Sequence, residues 1–240
     1  MKLMLPDTDA NDALFLDFDG TLVEIAPRPA EVIVPAALIP LLQSRQRELT
    51  GALGIISGRQ IEALDKLLAP LSFAAAGEHG AEVRYGRDTR IVCATPLPAQ
   101  VCIKLKQLSE KYTGTLLEIK RVSAALHFRN ASEHQKAVTD AMQTLVGTLE
   151  GYELLQGKMV IELKLRHIDK GIAVTKLYQQ PAFSGRRPVY IGDDVTDEAG
   201  FKAVNDLGGI SIRVGRANQS LAQYSLADVS AVHAWITGAI

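Results

Sequence analysis

The chain has 240 residues, 47% of them hydrophobic, enough for one large domain or two smaller ones around a core that needs no covalent staples. Its 26 basic and 27 acidic side chains nearly cancel, which excludes the footprint of a nucleic-acid or anionic-membrane binder and points to a small ligand. With no apolar signal core in 1–12, no run near the roughly 18 apolar residues of a membrane span, and Cys93 and Cys102 in no CxxC pattern, a soluble cytoplasmic monomer with reduced thiols is expected.

The first predicted element is the apolar run Leu14-Phe15-Leu16, a buried strand of a parallel sheet leading into Asp17-Phe18-Asp19-Gly20-Thr21-Leu22. Gly20 permits an immediate turn, which puts Asp17 and Asp19 just past the strand's carboxyl end, where open α/β sheets collect their ligands. Two carboxylates this close repel unless a cation or a shared proton lies between them. Three prolines mark 25–35 as an extended loop, and a helix follows from 35 or 40 to 48. Pro35 suits a first helical position, but Pro40 would then interrupt the hydrogen-bond ladder, so both starts stay open. A buried strand at 53–57, a helix at 60–68 and a short strand at 73–76 complete a βαβαβ order, the mark of a doubly wound parallel sheet.

Past Glu82 the pattern changes. Strands at 81–85 and 90–93 flank a turn containing Gly86. Then helix, strand, strand occurs twice: 99–112, 116–121 and 123–129, followed by 133–148, 152–155 and 159–165. The second helix is the best marked, with Val138, Met142, Leu145, Val146 and Leu149 on one stripe. Hairpin-linked strands with separately grouped helices predict an open-faced α+β unit inserted into the α/β core. The core resumes with a helix at 169–179, a strand at 188–191, an acidic loop at 192–198, a helix at 199–205, a strand at 209–214, a turn at 217–222 and a helix at 229–238. The predicted division is a core of 1–95 and 166–240 with an insert of 96–165.

Four features fall at predicted strand ends or a helix start: Asp17 with Asp19, Ser57, Lys170, and the run Asp193-Asp194-Val195-Thr196-Asp197-Glu198. So dense an acidic loop beside a buried strand calls for a cation, and oxygen donors with open positions fit Mg²⁺. Asp197 and Glu198 also suit plain helix caps and first-turn acids. Lys170 meets the positive end of a helix dipole, unfavourable unless an anion lies between them, although a solvated lysine would read the same. Ser57 before Gly58 is either a turn residue or, with Thr21 and Lys170, part of a phosphate cradle.

Asp17-Phe18-Asp19-Gly20-Thr21, Ser57, Lys170 and Gly192-Asp193-Asp194 resemble the four motifs of the haloacid dehalogenase superfamily, in their usual order. More narrowly, Ile56-Ser57-Gly58-Arg59, Gly77-Glu78-His79-Gly80 and Gly192-Asp193-Asp194-Val195-Thr196-Asp197-Glu198 are similar to the trehalose-6-phosphate phosphatase family, with the likeness extending over nearly the full length. The resemblance implies a haloacid dehalogenase-like doubly wound core with a mobile α+β cap. It also implies Mg²⁺-dependent hydrolysis of trehalose 6-phosphate to trehalose and phosphate, the last step of trehalose biosynthesis. Asp17 would be the nucleophile, forming an aspartyl phosphate. Asp19 would act as acid and then base, its carboxyl left free because its backbone carbonyl binds the metal. Asp17, Asp19 and Asp193 would hold Mg²⁺ with Asp194 and Asp197 behind them, while Gly20, Thr21, Ser57 and Lys170 would surround the phosphoryl group.

In the insert, Glu118 with Lys120, His127 with Arg129, and Glu162 with Lys164 stand two apart, so each pair shares one face of its strand. Leu126 with Phe128 and Ile161 with Leu163 then face the helices. Solvent alone accounts for one wet face. The other reading is a face that closes over the core and binds sugar hydroxyls, which the resemblance favours for Glu118, Lys120 and Glu162. His127, Arg129 and Lys158, with Arg59 and His79 of the core, join the substrate-binding set by proximity, and His79 reads equally as a loop histidine. Three alternatives remain open: a capped phosphatase for another sugar phosphate, a phosphotransferase or mutase that excludes water, and a phosphosugar-binding protein with a decayed site.

Overall fold

A computed structural model describes residues 5–86, 89, 92–157 and 159–239. The chain folds as two compact units, one running up to Val92 and from Asp169 onward, the other Cys93–Ile168. The side chain of Cys93, the expected strand start at Arg90, and Lys158 lie outside the described residues; Cys102 is a free thiol. No helix among the described residues is long and apolar enough to cross a membrane.

Strand β1 (Asp12–Leu16) is buried along its whole length. It starts at Asp12 rather than Leu14 because that buried carboxylate is neutralised: Arg187 Nε donates to Asp12 Oδ1 at 2.7 Å, and Arg45 approaches Oδ2 at 3.7 Å. Helix α1 (Leu38–Glu48) decides between the two expected starts in favour of neither. Pro40 is its third residue, in the first turn, where a backbone N–H has no helical partner to lose. β2 (Leu53–Ile56), α2 (Ile61–Leu67), β3 (Ala74–Gly77), β4 (Glu82–Arg84) and β5 (Val92–Cys93) follow.

The second unit holds α3 (Ala99–Lys111), β6 (Leu116–Ile119), β7 (Ala124–His127), α4 (Gln135–Val146), β8 (Tyr152–Gly157) and β9 (Val160–Leu165). Its sheet runs β6-β7-β9-β8, antiparallel throughout, and aligns Glu118 with Ala125 and Ala125 with Glu162. Leu126, Phe128, Ile161 and Leu163 enter one apolar cluster with Val101, Leu105, Val138 and Met142 of the helices, so the expected alternation holds there. Arg129 is a correction: β7 ends at His127, and Arg129 sits exposed in the following turn rather than beside His127 on the strand face.

The first unit resumes with α5 (Lys170–Tyr178), β10 (Arg187–Gly192), α6 (Glu198–Asp206), β11 (Ile210–Val214), β12 (Tyr224–Leu226) and α7 (Val229–Ile236). Its sheet has the order β12-β11-β10-β1-β2-β3-β4-β5, with β12 to β3 parallel and β4 antiparallel to β3. β12 is an addition that the turn expected at 217–222 did not announce; with three residues and alternating exposure it carries little apolar signal. β1 lies where the order reverses, between β10 and β2, the switch point at which such sheets open a crevice.

Phe15 on β1 is fully buried and stacks on Phe183 at 5.2 Å between ring centroids. Phe15→Ala should cost about 3–5 kcal/mol of unfolding free energy in a urea titration; a loss below about 1 kcal/mol would mean the centre of the sheet repacks freely.

Candidate active site

The carboxyl ends of β1, β2 and β10 deliver Asp17, Ser57 and Asp193, each one residue past its strand. Gly20 turns the chain after β1 with φ of +80°, and a Cβ there would lie 2.2 Å from Asp193 Oδ2, so any side chain would be strained and would collide with the second carboxylate. Thr21 is buried with its Oγ1 3.5 Å from Asp193 Oδ1. Ser57 is buried, and its Oγ accepts the Arg59 backbone N–H at 3.1 Å, which turns the hydroxyl hydrogen toward other acceptors.

Lys170 opens α5, whose N-terminus is capped by the Asp169 carboxylate accepting Ile172 N–H. Its buried ammonium lies 2.9 Å from Asp17 Oδ1 and 2.6 Å from Asp197 Oδ1. The anions expected in front of this lysine are therefore protein carboxylates. Burial drives Lys170 toward its neutral form, but Asp17 and Asp197 outweigh burial and hold it protonated.

Asp17, Asp193 and Asp197 each bring an oxygen within 4.8 Å of the others. Burial, reinforced by Asp197, pushes Asp17 well above the usual carboxylate range against the pull of Lys170. Asp193 rises for the same causes in the same order, to about 6. Asp197 is engaged on both oxygens: Oδ1 accepts from Lys170 and from Tyr190 Oη (2.7 Å), and Oδ2 accepts from the backbone N–H groups of Asp193 (3.1 Å) and Asp194 (2.9 Å). Four donors fill its lone pairs, so Asp197 orients the loop and the lysine, leaving Asp17 and Asp193 to face a ligand. Asp194 is exposed.

Asp19, two residues from Asp17, does not join this cluster. Its carboxylate is gripped by Arg59, with Nε to Oδ2 and Nη2 to Oδ1 both at 2.7 Å. His79 is buried with φ of +59°; its ring lies over Gly58, where a Cβ would come within 2.8 Å, and its backbone N–H donates to Ser57 O.

Within the second unit, Glu162 is buried and accepts from Lys120 Nζ at 2.9 Å and from Ser123 Oγ at 3.0 Å. The His127 ring lies 3.1 Å from Glu118 Oε2, and that hydrogen bond, against burial and with help from Lys120, holds the Glu118 carboxyl below its ordinary value. Glu118, Lys120, His127 and Glu162 thus form one polar cluster. Lys164 turns instead to Glu153 at 2.6 Å and to the Ile168 carbonyl.

A family model described as trehalose-phosphatase matches residues 15–230. The chain belongs to the trehalose-phosphatase family. It is similar to trehalose-6-phosphate phosphatase of Escherichia coli strain K12, 39% identical over 233 residues that cover 96% of this chain and 87% of that one. The trehalose-6-phosphate phosphatase C-terminal domain of C. albicans shares the fold with a TM-score of 0.82 at 23% identity, covering 94% of this chain and 90% of the other. A phosphatase of the haloalkanoate (HAD) superfamily from Bacteroides thetaiotaomicron does so with a TM-score of 0.62 at 17% identity, covering 93% and 92%. The architecture of this trehalose-phosphatase family member, a phosphomonoester hydrolase by family, is thus haloacid dehalogenase-like.

Two site residues of this family member give no warning in the sequence, and a third gives one that the motifs do not cover. Tyr190, buried in β10, is hidden in an apolar strand and gives no signal of its own. Ser123 sits in a loop, where serine is commonplace. Arg213 was findable, because it is the lone charge in the apolar strand β11; it donates to the Asp193 carbonyl at 2.6 Å and pairs with Glu198 at 3.0 Å.

Three converging carboxylates against one ammonium leave a net negative charge of two when all are ionised, and the donors are all oxygen, so the cluster fits a hard divalent cation. A carboxyl with a raised folded value costs the fold nothing below its unfolded value near 3.8 and its full penalty above about 6, so the cation-free protein loses this stability as pH rises through that window. A bound cation relieves the penalty but requires the ionised form. Its thermal stabilisation should therefore be much larger at about pH 8 than at about pH 5, with apparent affinity falling about tenfold per unit below 6 for the proton that Asp193 must lose. Equal thermal shifts at both pH values would place the cation elsewhere.

Proposed function

We propose that this chain hydrolyses trehalose 6-phosphate to trehalose and phosphate through an aspartyl phosphate on Asp17. The observation that carries the proposal is the meeting of Asp17 past β1, Asp193 past β10 and Lys170 at the start of α5, with Lys170 Nζ 2.9 Å from the Asp17 oxygen. Asp17 attacks phosphorus in line, the bond to the sugar oxygen breaks, and a protonated Asp19 gives its proton to that oxygen. Water, losing a proton to the Asp19 carboxylate, then attacks the phosphoenzyme and returns Asp17 as a carboxylate with inorganic phosphate. Lys170, Ser57 and Thr21 hold the equatorial oxygens; Ser57 is suited to this because its hydrogen is turned outward by the Arg59 N–H.

Asp17, Asp193 and the Asp19 carbonyl would hold Mg²⁺, with Asp194 and Asp197 behind them. Bound there, Mg²⁺ supplies charge neutralisation for the nucleophile and the phosphoryl oxygens. Residues 96–165 act as the specificity cap, and the Glu118, Lys120, His127 and Glu162 cluster suits sugar hydroxyls because it offers charged donors and acceptors already oriented by one another. Arg129 and Lys158 remain proposed substrate contacts on proximity in sequence, and Gly20 admits the phosphoryl group by having no side chain.

Phosphate release from a panel of sugar phosphates, with and without EDTA, tests the reading. Trehalose 6-phosphate should exceed glucose 6-phosphate by at least about a hundredfold in kcat/KM, and chelation should abolish both; comparable rates would sink the substrate assignment and metal-independent turnover the mechanism. Asp17→Asn should lower turnover by at least about 10⁴-fold while the protein keeps its cooperative unfolding. Residual activity within about tenfold of the parent would put the nucleophile elsewhere.

A further inference from the structure

Arg59 was expected to bind substrate, yet its guanidinium is already spent within the first unit. Two of its nitrogens hold both oxygens of Asp19 at 2.7 Å, the third donates to the Pro29 carbonyl at 2.9 Å, and the plane lies 5.6 Å from the centre of the Phe18 ring. The side chain is only 14% exposed, whereas that of Asp19 is 35% exposed. A bidentate pair of this length is among the strongest side-chain contacts available, and it engages both of the oxygens with which Asp19 would reach a cation. Asp19 is accordingly missing from the carboxylates that converge on the cluster, although it stands two residues from Asp17. The Arg59 backbone N–H meanwhile orients Ser57 Oγ, so one residue ties the turn after β1, the turn after β2 and the segment at Pro29 together.

We propose that Arg59 is a positioning residue that parks the Asp19 carboxylate away from the cation-binding carboxylates until substrate arrives. A fourth carboxylate free to rotate would satisfy the same positive charge that Asp17 and Asp193 satisfy, and would then be unable to serve the leaving oxygen. Arg59 removes that competitor without burying it, and the partial exposure of Asp19 leaves it free to swing toward a sugar ester. The inference rests on the aspartyl-phosphate reading for its role in turnover, but the parking itself is a property of the free protein.

Magnesium titration calorimetry on the full chain, combined with turnover of trehalose 6-phosphate and of p-nitrophenyl phosphate, tests it. Asp19→Asn should bind Mg²⁺ within about twofold of the parent, because a parked carboxylate is not a ligand. Arg59→Ala should bind it about tenfold more tightly, because the released carboxylate turns onto the cation, and the Arg59→Ala, Asp19→Asn double variant should return to the parent value. In Arg59→Ala the ratio of trehalose 6-phosphate to p-nitrophenyl phosphate turnover should fall at least about tenfold, since nitrophenolate departs without a proton, and Arg59→Lys should restore part of it. A tenfold weaker Mg²⁺ affinity in Asp19→Asn would place that carboxylate on the cation and overturn the proposal. So would an Arg59→Ala protein with unchanged affinity and ratio, or one in which only KM for the sugar ester rises. Should Arg59→Ala fail to fold, the affinity of Asp19→Asn decides alone. A parent protein active on p-nitrophenyl phosphate and idle on trehalose 6-phosphate would refute the substrate reading and leave the calorimetry to decide the parking.

Discussion

Three carboxylates and one ammonium held at the end of an apolar sheet are the condition on which the first unit is built. Such a group is unstable in isolation, because burial penalises each charge and the negative charges outnumber the positive. The chain answers by partition. Asp197 is saturated with four hydrogen bonds and becomes part of the scaffold, Lys170 is held as a cation between two acids, and Asp17 with Asp193 is left under-compensated. That residual negative charge suits the site to a hard divalent cation. Parallel strands are needed because only they bring residues 17, 57 and 193 to one edge, and glycine is needed at 20 because the Asp193 carboxylate fills the space a side chain would take.

Much of this was legible because the fold uses strong local signals. Apolar runs ending in polar residues marked β1, β2 and β10, and parity in the insert separated Leu126, Phe128, Ile161 and Leu163 from Glu118 and Glu162. What escaped was decided by partners distant in sequence. Asp12 looks like an unlikely strand residue until Arg187 and Arg45 are beside it, and the helix start near Pro40 depends on a first turn that tolerates proline. Arg129 left the strand face because β7 stops early, which a period of two cannot reveal.

Asp19 shows the same limit in chemical form. The resemblance of its motif implies a proton-transfer role, but nothing near it in sequence names Arg59 as its partner, forty positions away. Tyr190 and Ser123 likewise each donate a side-chain hydrogen bond to a carboxylate, and neither residue type is unusual for its setting. Roles that depend on one contact are the least readable from a chain, whereas roles that depend on a strand end or a glycine are the most readable.

The insertion of 93–168 into the core also imposes an order in time. β1 pairs with β2 on one side early, but its other edge waits for β10, and the Arg187 that neutralises Asp12 lies 175 positions further along. At about 5–20 residues per second of synthesis, that edge stays open for roughly 10–35 seconds. During the interval the inserted sheet, which uses only its own strands, has everything it requires, while a fully buried strand of the finished core presents an unpaired edge. The species of this protein most open to edge-to-edge pairing is therefore a nascent chain with a finished insert and a half-built sheet, an exposure that the native fold no longer has.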